Sequence, residues 1–498
     1  MRVTVCEGVG TAPPTARAEA LERDRPERTM RLFNVAWAAA ALFHVLGPSG
    51  RAYLFIDAPT TVGLGHVGLA IVALMVLAKP ANILYVAILA AMGPATAWQE
   101  SPFLGSHWLL VSLVDLGLIL SMITSARGDR IDGQALATSF LPVVRWTVVI
   151  FYCFTAFAKM NTAFLDSTVS CATFYFDQIA ASVGLSQFVH TEPVLWTRYL
   201  PVAVVATEAM IPLLLLIPRT RIAGVLVAIV FHGIIALDSR HLFIDFSSVM
   251  TALFVPFLPL RVIDLSTTTL AENTQRWVTA VALSCFGVVF LCQLNAQVSA
   301  LNAAFASGRL WLWYVYDAAT LFLLGRSLVR PTPSRGCRTE NPAFWIISPR
   351  LLWTIPLLVV VNGALPYVEL RTAFAFNMYS NLRIVEGRTN HLIVPFSIPI
   401  GNRHFGLVRI LSSNDPALAL YATAGYDLPW DSFRIYLWKH PGATVRFRRL
   451  GEEFQIQSGL DSAPAPPAPV VLWDKLLPLR AIDQQALPRC QDVFFPAL

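Results

Sequence analysis

Residues 140–161 read FLPVVRWTVVIFYCFTAFAKMN, an almost wholly apolar run that ends at Ala158 and is followed at once by Lys159. A helix needs about twenty such residues to cross the hydrocarbon core of a bilayer. The stretch therefore predicts a membrane-spanning helix over 140–158 with an ammonium group at its end. Such a group either anchors the helix at the membrane surface or takes part in chemistry.

The composition of the whole chain is typical of a membrane protein. Of the 498 residues, 55% are hydrophobic and only 14% are charged, whereas soluble proteins carry about 25% charged residues. In a membrane protein the net charge of +6 reports topology, and we expect no nucleic-acid partner. The first thirty residues have mixed charge and no apolar core, which argues against a secretory signal.

Similar apolar blocks recur along the chain and predict a polytopic α-helical membrane protein with about eleven spans. The blocks cover 32–47, 61–78, 81–97, 107–124, 140–158, 200–217, 222–237, 243–260, 278–296, 309–325 and 351–370. If the N-terminus is cytoplasmic, eighteen Lys and Arg residues fall on the cytoplasmic side and five on the other. Because cytoplasmic segments are enriched in Lys and Arg, this asymmetry favours a cytoplasmic N-terminus.

Three regions follow from this pattern. Residues 1–29 are expected to be a disordered cytoplasmic tail, residues 30–370 a helical membrane bundle, and residues 371–498 an extracytoplasmic β-rich domain. The last region contains short β-branched segments separated by turn residues, which predict strands: HLIVPFSI, HFGLVRILSS, LALYATAGY, SFRIYLW and TVRFRRLGEEFQIQ. The seven cysteines show no CxxC spacing; Cys171 and Cys490 could pair on an oxidising side, and no metal site is indicated.

Several polar groups are expected on the outer face. Lys159 ends one span and His107 opens another, while Arg240 and His241 lie in an outer turn. Because hydrocarbon penalises a charged amine, Lys159 could act as a base, and His107 could stabilise a developing oxyanion. The alternatives are a lysine whose ammonium reaches the aqueous interface and a histidine that caps its helix.

The stretch MYSNLRIVEGRTNHLIVP, residues 378–395, is dense in amide and charged side chains. It is either a polar turn or a site for a carboxylate or for the head group of an apolar ligand. The candidate substrate-binding residues are Asn161, Arg240, His241, Asn381, Arg383, Glu386, Arg388, Asn390 and His391.

Two further polar residues, Glu208 and His232, lie inside apolar blocks. Each is a functional candidate or a helix–helix hydrogen-bonding group. A transporter would need a polar path through these two residues, although the chain has no internal repeat that would favour one.

Four stretches carry a family resemblance: HWLLVSLVD, FYCFTAFAKMNTAFLD, TEAMIPLLLLIPRTRIAG and VFHGIIALDSRHLFIDFSSVM. In order and spacing they resemble the vitamin K-dependent γ-carboxylase superfamily and its bacterial relatives, the HTTM (horizontally transferred transmembrane) domain proteins. The resemblance implies that Lys159 is the base that deprotonates reduced vitamin K and that His107 stabilises the reaction. Ala158 stands where the animal enzymes carry a second lysine.

The resemblance implies an enzyme of a bacterial plasma membrane that couples quinol epoxidation to carboxylation of peptidyl glutamate. Its cofactor would be a reduced vitamin K of the menaquinol type, with dioxygen and carbon dioxide as co-substrates and no metal. Expected partners are membrane lipid, a secreted peptide or protein, and a quinone-recycling redox protein. The alternative is a non-catalytic membrane protein that binds or matures a secreted peptide or lipid.

Overall fold

A computed structural model describes residues 24–47, 61–102, 104–186, 195–239, 241, 243–259, 262–264, 299–329, 342–458 and 468–490. The chain divides into two compact units. The first comprises Met1–Gln99, Val111–Val149 and Ile211–Pro356, and the second comprises Glu100–Leu110, Ile150–Met210 and Leu357–Leu498.

Helices dominate the described residues up to Ala364. They are α1 (Arg25–Val45), α2 (Thr61–Ala78), α3 (Ile83–Glu100), α4 (Ser106–Ser125), α5 (Gly133–Ala158), α6 (Thr162–Leu165), α7 (Cys171–Ser182), α8 (Leu195–Leu216), α9 (Arg221–Ile235), α10 (Ile244–Phe254), α11 (Ser299–Val329) and α12 (Thr354–Ala364). A short antiparallel pair, β1 (Ala126–Arg127) and β2 (Arg130–Ile131), joins α4 to α5.

Within the described residues, four helical segments are long and apolar enough to cross a membrane. They are Ser106–Ser125, Gly133–Ala158, Thr197–Leu216 and Arg350–Val368, the last of which consists of α12 and its flanking 3-10 turns. The helix predicted over 140–158 is therefore present within Gly133–Ala158, one of these four candidates. Large apolar side chains are exposed on three of these segments, including Ile123, Val202, Leu213, Leu357 and Val361, and a bilayer is the solvent in which such side chains are stable.

The prediction of about eleven spans is wrong for the described part of the chain. Helix α9 has 15 residues and α10 has 11, so α9 reaches about 22 Å, less than the roughly 30 Å of the hydrocarbon core. The block at 278–296 lies outside the described residues. Helical length therefore separates α9 and α10 from segments that are long enough to span.

The first unit is built around α1. This helix packs against α2 and α10, and α9 packs against α10 and α11. Two buried polar contacts in this unit join different helices or loops, and in the first Trp37 Nε1 donates to Asp115 Oδ1 at 2.8 Å. The buried Arg145 guanidinium of α5 donates to the carbonyl oxygens of Pro256 and Phe344 at 3.0 and 2.6 Å. Such partners offset the cost of removing polar groups from water.

The second unit contains a C-terminal β-sheet, which confirms the β-rich character of this region. Five strands pair antiparallel in the spatial order Glu452–Gln457, Thr444–Arg449, Val408–Ser413, Tyr426–Leu428 and Ile482–Asp483. The elements after α12 are β3 (Ile384–Val385), β4 (Arg388–Thr389), β5 (Val408–Ser413), α13 (Pro416–Ala424), β6 (Tyr426–Leu428), α14 (Trp430–Lys439), β7 (Thr444–Arg449), β8 (Glu452–Gln457), α15 (Ala468–Leu476) and β9 (Ile482–Asp483). The core of the sheet is apolar and includes Val408, Leu428, Phe433 and Phe447.

Two of the five segments predicted as strands are strands. HFGLVRILSS contains β5, and TVRFRRLGEEFQIQ folds into β7 and β8 around Leu450 and Gly451, both of which have positive φ. LALYATAGY is instead mostly helical, because Asp415 caps α13, Pro416 occupies its first turn and Gly425 ends it with a left-handed φ of 75°. These are strong helix boundary signals.

The other two predicted strands are also wrong. SFRIYLW lies within α14. HLIVPFSI is an irregular loop with two isolated bridges, because Pro395 and Pro399, which follows it directly, have no N–H group to donate to a sheet.

A disulfide joins Cys171 to Cys490, with their Cα atoms 4.7 Å apart. Both residues belong to the second unit. The pairing that the sequence left open is therefore present, and it closes a loop across 319 residues of sequence.

We expect Asp415→Ala to weaken α13. The Asp415 carboxylate accepts hydrogen bonds from the Leu418 amide at 3.0 Å and from the Tyr436 hydroxyl at 2.7 Å. Loss of such a cap costs about 1–2 kcal/mol, so the amides of 416–424 should exchange hydrogen roughly five- to thirtyfold faster. Mass spectrometry of exchanged peptides measures this effect. Asp129→Ala, in the exposed β1–β2 turn, is the control; equal exchange in both variants would contradict the assignment of the cap.

Candidate functional site

Lys159 is buried and paired with a carboxylate. Its Nζ lies 2.9 Å from Glu208 Oε2 and donates to the Thr155 carbonyl at 3.4 Å. Lys159 is 6% exposed and Glu208 8%. The ammonium also lies 5.9 Å from the centre of the Phe164 ring. The structure thus joins the lysine that follows α5 to the polar residue that the sequence placed inside another apolar block.

This geometry differs from that of an interface anchor. An anchoring lysine extends its ammonium into water while its methylene groups cover apolar surface. Here the whole side chain is enclosed, and Glu208 supplies the counter-charge. Removing two charges from water is costly, so the pair persists only because each partner compensates the other.

His107 does not contact Lys159. It lies in the first turn of α4 and is half-buried. Among the described residues, the polar groups in contact with the Lys159 ammonium are the Glu208 carboxylate and the Thr155 carbonyl. The predicted cooperation of Lys159 and His107 therefore has no direct contact to support it.

The predicted polar stretch 378–395 lies against the chain that follows Lys159. Asn161, which is fully buried, donates to the carbonyl of Ser380 at 2.5 Å and accepts from Asn390 Nδ2 at 3.2 Å. Its Oδ1 also caps the short helix α6 through the Phe164 amide. The sequence-based expectation that Lys159 and this stretch lie close together agrees with these contacts.

The amide groups of this stretch bond mainly to the backbone. Asn381 donates to the carbonyls of Val169 and Pro488 at 2.8 and 3.0 Å and accepts from the Cys171 amide at 2.8 Å. Asn390 accepts from the Arg383 amide at 2.8 Å. The Arg383 guanidinium donates to the carbonyls of Asp483 and Gln485. These bonds hold the stretch in place around the disulfide.

His391 is held as a neutral imidazole. Its Nε2 lies 2.8 Å from the Phe157 carbonyl, to which it donates, and its Nδ1 accepts from the amides of Ile393 and Val394 at 3.1 Å. Burial lowers the pKa of His391, although the bond to Phe157 acts in the opposite direction. A ring with one donor and one acceptor nitrogen is the form that satisfies these partners.

Glu386 and Arg388 are exposed at the tip of the β3–β4 hairpin. Their turn is fixed from beneath by Glu369, whose carboxylate accepts from the amides of Glu386 and Gly387 at 3.2 and 2.7 Å. Of the predicted substrate-binding residues that the structure describes, these two are the ones with exposed side chains.

Glu369 is a buried ionisable residue that the sequence analysis did not identify as a candidate. It is fully buried and also accepts from Ser397 Oγ at 2.6 Å and pairs with His404 Nδ1 at 3.0 Å. Burial alone would raise its pKa, but the bonds from His404, Ser397 and Gly387 outweigh it and lower the pKa to about 2. The backbone φ of Glu369 is 56°, in the left-handed region that residues other than glycine seldom adopt, so its conformation is constrained by the surrounding structure.

The remaining candidates belong to the first unit or lie outside the described residues. His241 Nδ1 lies 2.7 Å from Asp238 Oδ2. His232 is buried in α9, where its ring packs edge-on against Phe246. Arg240 lies outside the described residues.

The length and apolar composition of four described helices indicate a membrane-associated protein. Comparisons with protein-family models, with curated proteins and with solved structures find no match to it.

Removing one member of the Lys159–Glu208 pair should be more damaging than removing both. Glu208→Ala leaves a buried ammonium without a counter-charge, and breaking such a pair costs about 3–5 kcal/mol. Lys159→Met combined with Glu208→Leu should restore most of that loss, because apolar residues of similar volume need no counter-charge. Denaturant titration in detergent micelles measures both effects. A double variant no more stable than Glu208→Ala would show that the two groups act independently.

The Glu369 carboxylate should make stability depend on pH. Its folded pKa of about 2 lies below its ordinary value of 4.5, so the contribution is present above pH 4.5 and is lost as the pH falls towards 2. The full contribution is about 3 kcal/mol, because each pH unit of pKa shift corresponds to about 1.4 kcal/mol. Unfolding of Glu369→Gln should lack this change between pH 5 and 2; parallel curves for the two proteins would contradict the assignment.

Proposed function

We propose that this chain is a membrane enzyme of the γ-carboxylase type, in which Lys159 takes a proton from a reduced quinone. The observation that carries the proposal is the buried Lys159–Glu208 pair directly after a membrane-spanning helix. The resemblance of the surrounding sequence to HTTM proteins and γ-carboxylases supports the same function.

The pair is suited to moving a proton. Transfer of one proton from the Lys159 ammonium to the Glu208 carboxylate leaves a neutral amine beside a neutral acid. A low-dielectric surrounding favours neutral forms over charged ones. The neutral amine can then accept a proton from the quinol hydroxyl and become an ammonium again, and Glu208 releases its own proton to solvent, which restores the ion pair.

The residues around the pair fit an aromatic, lipid-soluble reductant. Phe164 supplies a ring beside the ammonium, and the end of α5 is apolar. A reduced quinone bound here would supply an acidic hydroxyl and, with dioxygen, the oxidising power for the coupled step. In the overall reaction, quinol, dioxygen, carbon dioxide and a peptidyl glutamate give quinone epoxide, water and a γ-carboxylated glutamate.

The disulfide supports an extracytoplasmic position for the second unit. Disulfides persist in oxidising compartments and are rare in the cytosol, and Cys171–Cys490 lies in the same unit as Lys159. In a bacterial plasma membrane, a secreted peptide would reach Lys159 from this side. A quinone-recycling redox protein would then be the partner that returns the epoxide to the quinol.

A second candidate is a non-catalytic protein that holds a secreted peptide or lipid. Asn161, Asn381, Asn390 and His391 bond to other groups of the chain. That arrangement favours a structural role for the stretch, and the exposed hairpin tip at Glu386 and Arg388 would then carry the binding.

Lys159→Ala should abolish quinol epoxidation by the purified protein in lipid nanodiscs. Lys159→Arg separates chemistry from folding, because arginine keeps the charge that pairs with Glu208 but stays protonated at any usable pH. We therefore expect the arginine variant to be folded and inactive. Chromatography of the quinone products measures the activity.

Lys79→Ala, at an exposed lysine in the turn after α2, is the matched control and should keep full activity. Unchanged epoxidation in Lys159→Ala would overturn the enzymatic proposal. Wild-type protein that binds a secreted peptide but shows no epoxidation with menaquinol and dioxygen would favour the second candidate.

A further inference from the structure

A loop of the second unit exposes apolar side chains to an unusual extent. Residues 392–405 form this loop, called here the apolar loop, and its large exposed apolar side chains are Leu392, Ile393, Phe396, Ile398, Ile400 and Phe405. Phe396 and Phe405 are 60% and 61% exposed. The sequence from Leu392 to Asn402, LIVPFSIPIGN, contains no charged residue. A concentration of exposed apolar surface on one loop marks an interaction surface.

Two polar side chains within this loop face inward. Ser397 and His404 are 7% and 1% exposed. Both bond to the buried Glu369 carboxylate: Ser397 Oγ donates to Oε1 at 2.6 Å, and His404 Nδ1 lies 3.0 Å from Oε2. A loop in water usually shows the reverse pattern, with its polar side chains outside and its large apolar side chains inside. The distribution of side chains in the apolar loop therefore suits an apolar surrounding.

Most backbone N–H groups at the start of the apolar loop are already bonded. The amides that donate to acceptors of the same unit are those of Leu392, Ile393, Val394, Ser397 and Ile398. Pro395 and Pro399 have no N–H group. Lipid hydrocarbon offers no hydrogen-bond partner, so a segment enters it only when its backbone donors are bonded within the protein or absent. The loop meets this condition along most of residues 392–399.

Two of these hydrogen bonds join the apolar loop to the ends of segments that are long enough to cross a membrane. The Leu392 amide donates at 2.9 Å to the carbonyl of Met160, just after α5. The Ile398 amide donates at 2.9 Å to the carbonyl of Tyr367, in the last turn of Arg350–Val368. The loop is therefore fixed at the C-terminal ends of both segments.

The two C-terminal ends lie close together around His391, which directly precedes the loop. Its ring centre is 4.3 Å from that of Phe157, in the last turn of α5, and 5.7 Å from that of Tyr367. In a bilayer, apolar segments that end side by side leave the hydrocarbon core at a similar depth. The apolar loop thus begins at the level where hydrocarbon gives way to water.

We infer that the apolar loop inserts into the lipid bilayer beside the ends of α5 and Arg350–Val368. Phospholipid acyl chains would cover its exposed aromatic and aliphatic side chains. The exposed Arg388, which pairs with Phe396 in an isolated β-bridge, would reach the lipid phosphates, as arginines do at the edge of hydrocarbon. The contact would hold the second unit against the membrane, whether or not Lys159 carries out the proposed chemistry.

Photocrosslinking in the intact chain tests the lipid contact. The full chain, with p-benzoylphenylalanine in place of Phe396 or Phe405, is placed in nanodiscs that contain a radioactive phospholipid. Both positions should be labelled roughly fivefold or more above a control position, because only an inserted side chain touches the acyl chains of the hydrocarbon core.

The control position is Leu450, which lies in the turn between β7 and β8 and is equally exposed, at 61%. The strands beside it carry charged residues that include Arg448 and Glu453, so we expect this turn to lie in water. A smaller ratio at either loop position would overturn the inference, as would crosslinks from the loop mainly to a second copy of the chain. Thermal unfolding shows whether each variant is folded.

Wild-type protein provides a second test, which no folding defect of a variant affects. In nanodiscs with a phospholipid that carries a diazirine in its acyl chain, illumination should attach lipid to the tryptic peptide 389–403, which contains most of the apolar loop. The tryptic peptide 410–434, from the sheet and its helices, is the internal control. It should carry roughly fivefold less label, because it lies outside the hydrocarbon core. A smaller difference between the two peptides would overturn the inference.

Discussion

A charged amine buried inside a protein requires a counter-charge, and Glu208 meets that requirement for Lys159. The pair fixes where α5 ends relative to α8 within the second unit, because neither group can leave the other without exposing a buried charge. It also explains why a lysine can remain enclosed at the end of an apolar helix. The same pairing gives the amine a group with which to exchange a proton, so one interaction serves both stability and the proposed chemistry.

The polar stretch 378–395 is held by the chain that directly follows Lys159. Asn161 follows Lys159 by two residues and holds the carbonyl of Ser380, and Asn381 in turn bonds to the amide of Cys171. The disulfide then joins this region to Cys490. Side-chain amides are well suited to this work, since each offers both donors and acceptors to backbone groups that have no strand partner. The Glu369 carboxylate likewise accepts hydrogen bonds from two backbone amides of the β3–β4 turn.

The sequence was informative where a local signal sufficed. Long apolar runs identified α5 correctly, and the alternating run around Leu450 and Gly451 identified a hairpin. It was misleading for LALYATAGY, whose nine-residue helix is too short to show a clear period and is set by the capping of Asp415 and Gly425. It overcounted spans because apolar character does not distinguish a buried short helix such as α9 from one that crosses a bilayer.

The sequence by itself determined that this is a mostly helical chain with helices apolar enough to span a membrane and a partly β-structured C-terminal region, and it singled out Lys159 and the stretch 378–395. Those conclusions rest on composition and on the order of neighbouring residues, which are local properties. Only the tertiary structure decided that Lys159 pairs with Glu208, that Glu369 supports a hairpin, and that the apolar loop is bonded to the ends of two apolar segments. Each of these contacts joins residues far apart in the chain, and their proximity depends on helix packing that no local pattern records.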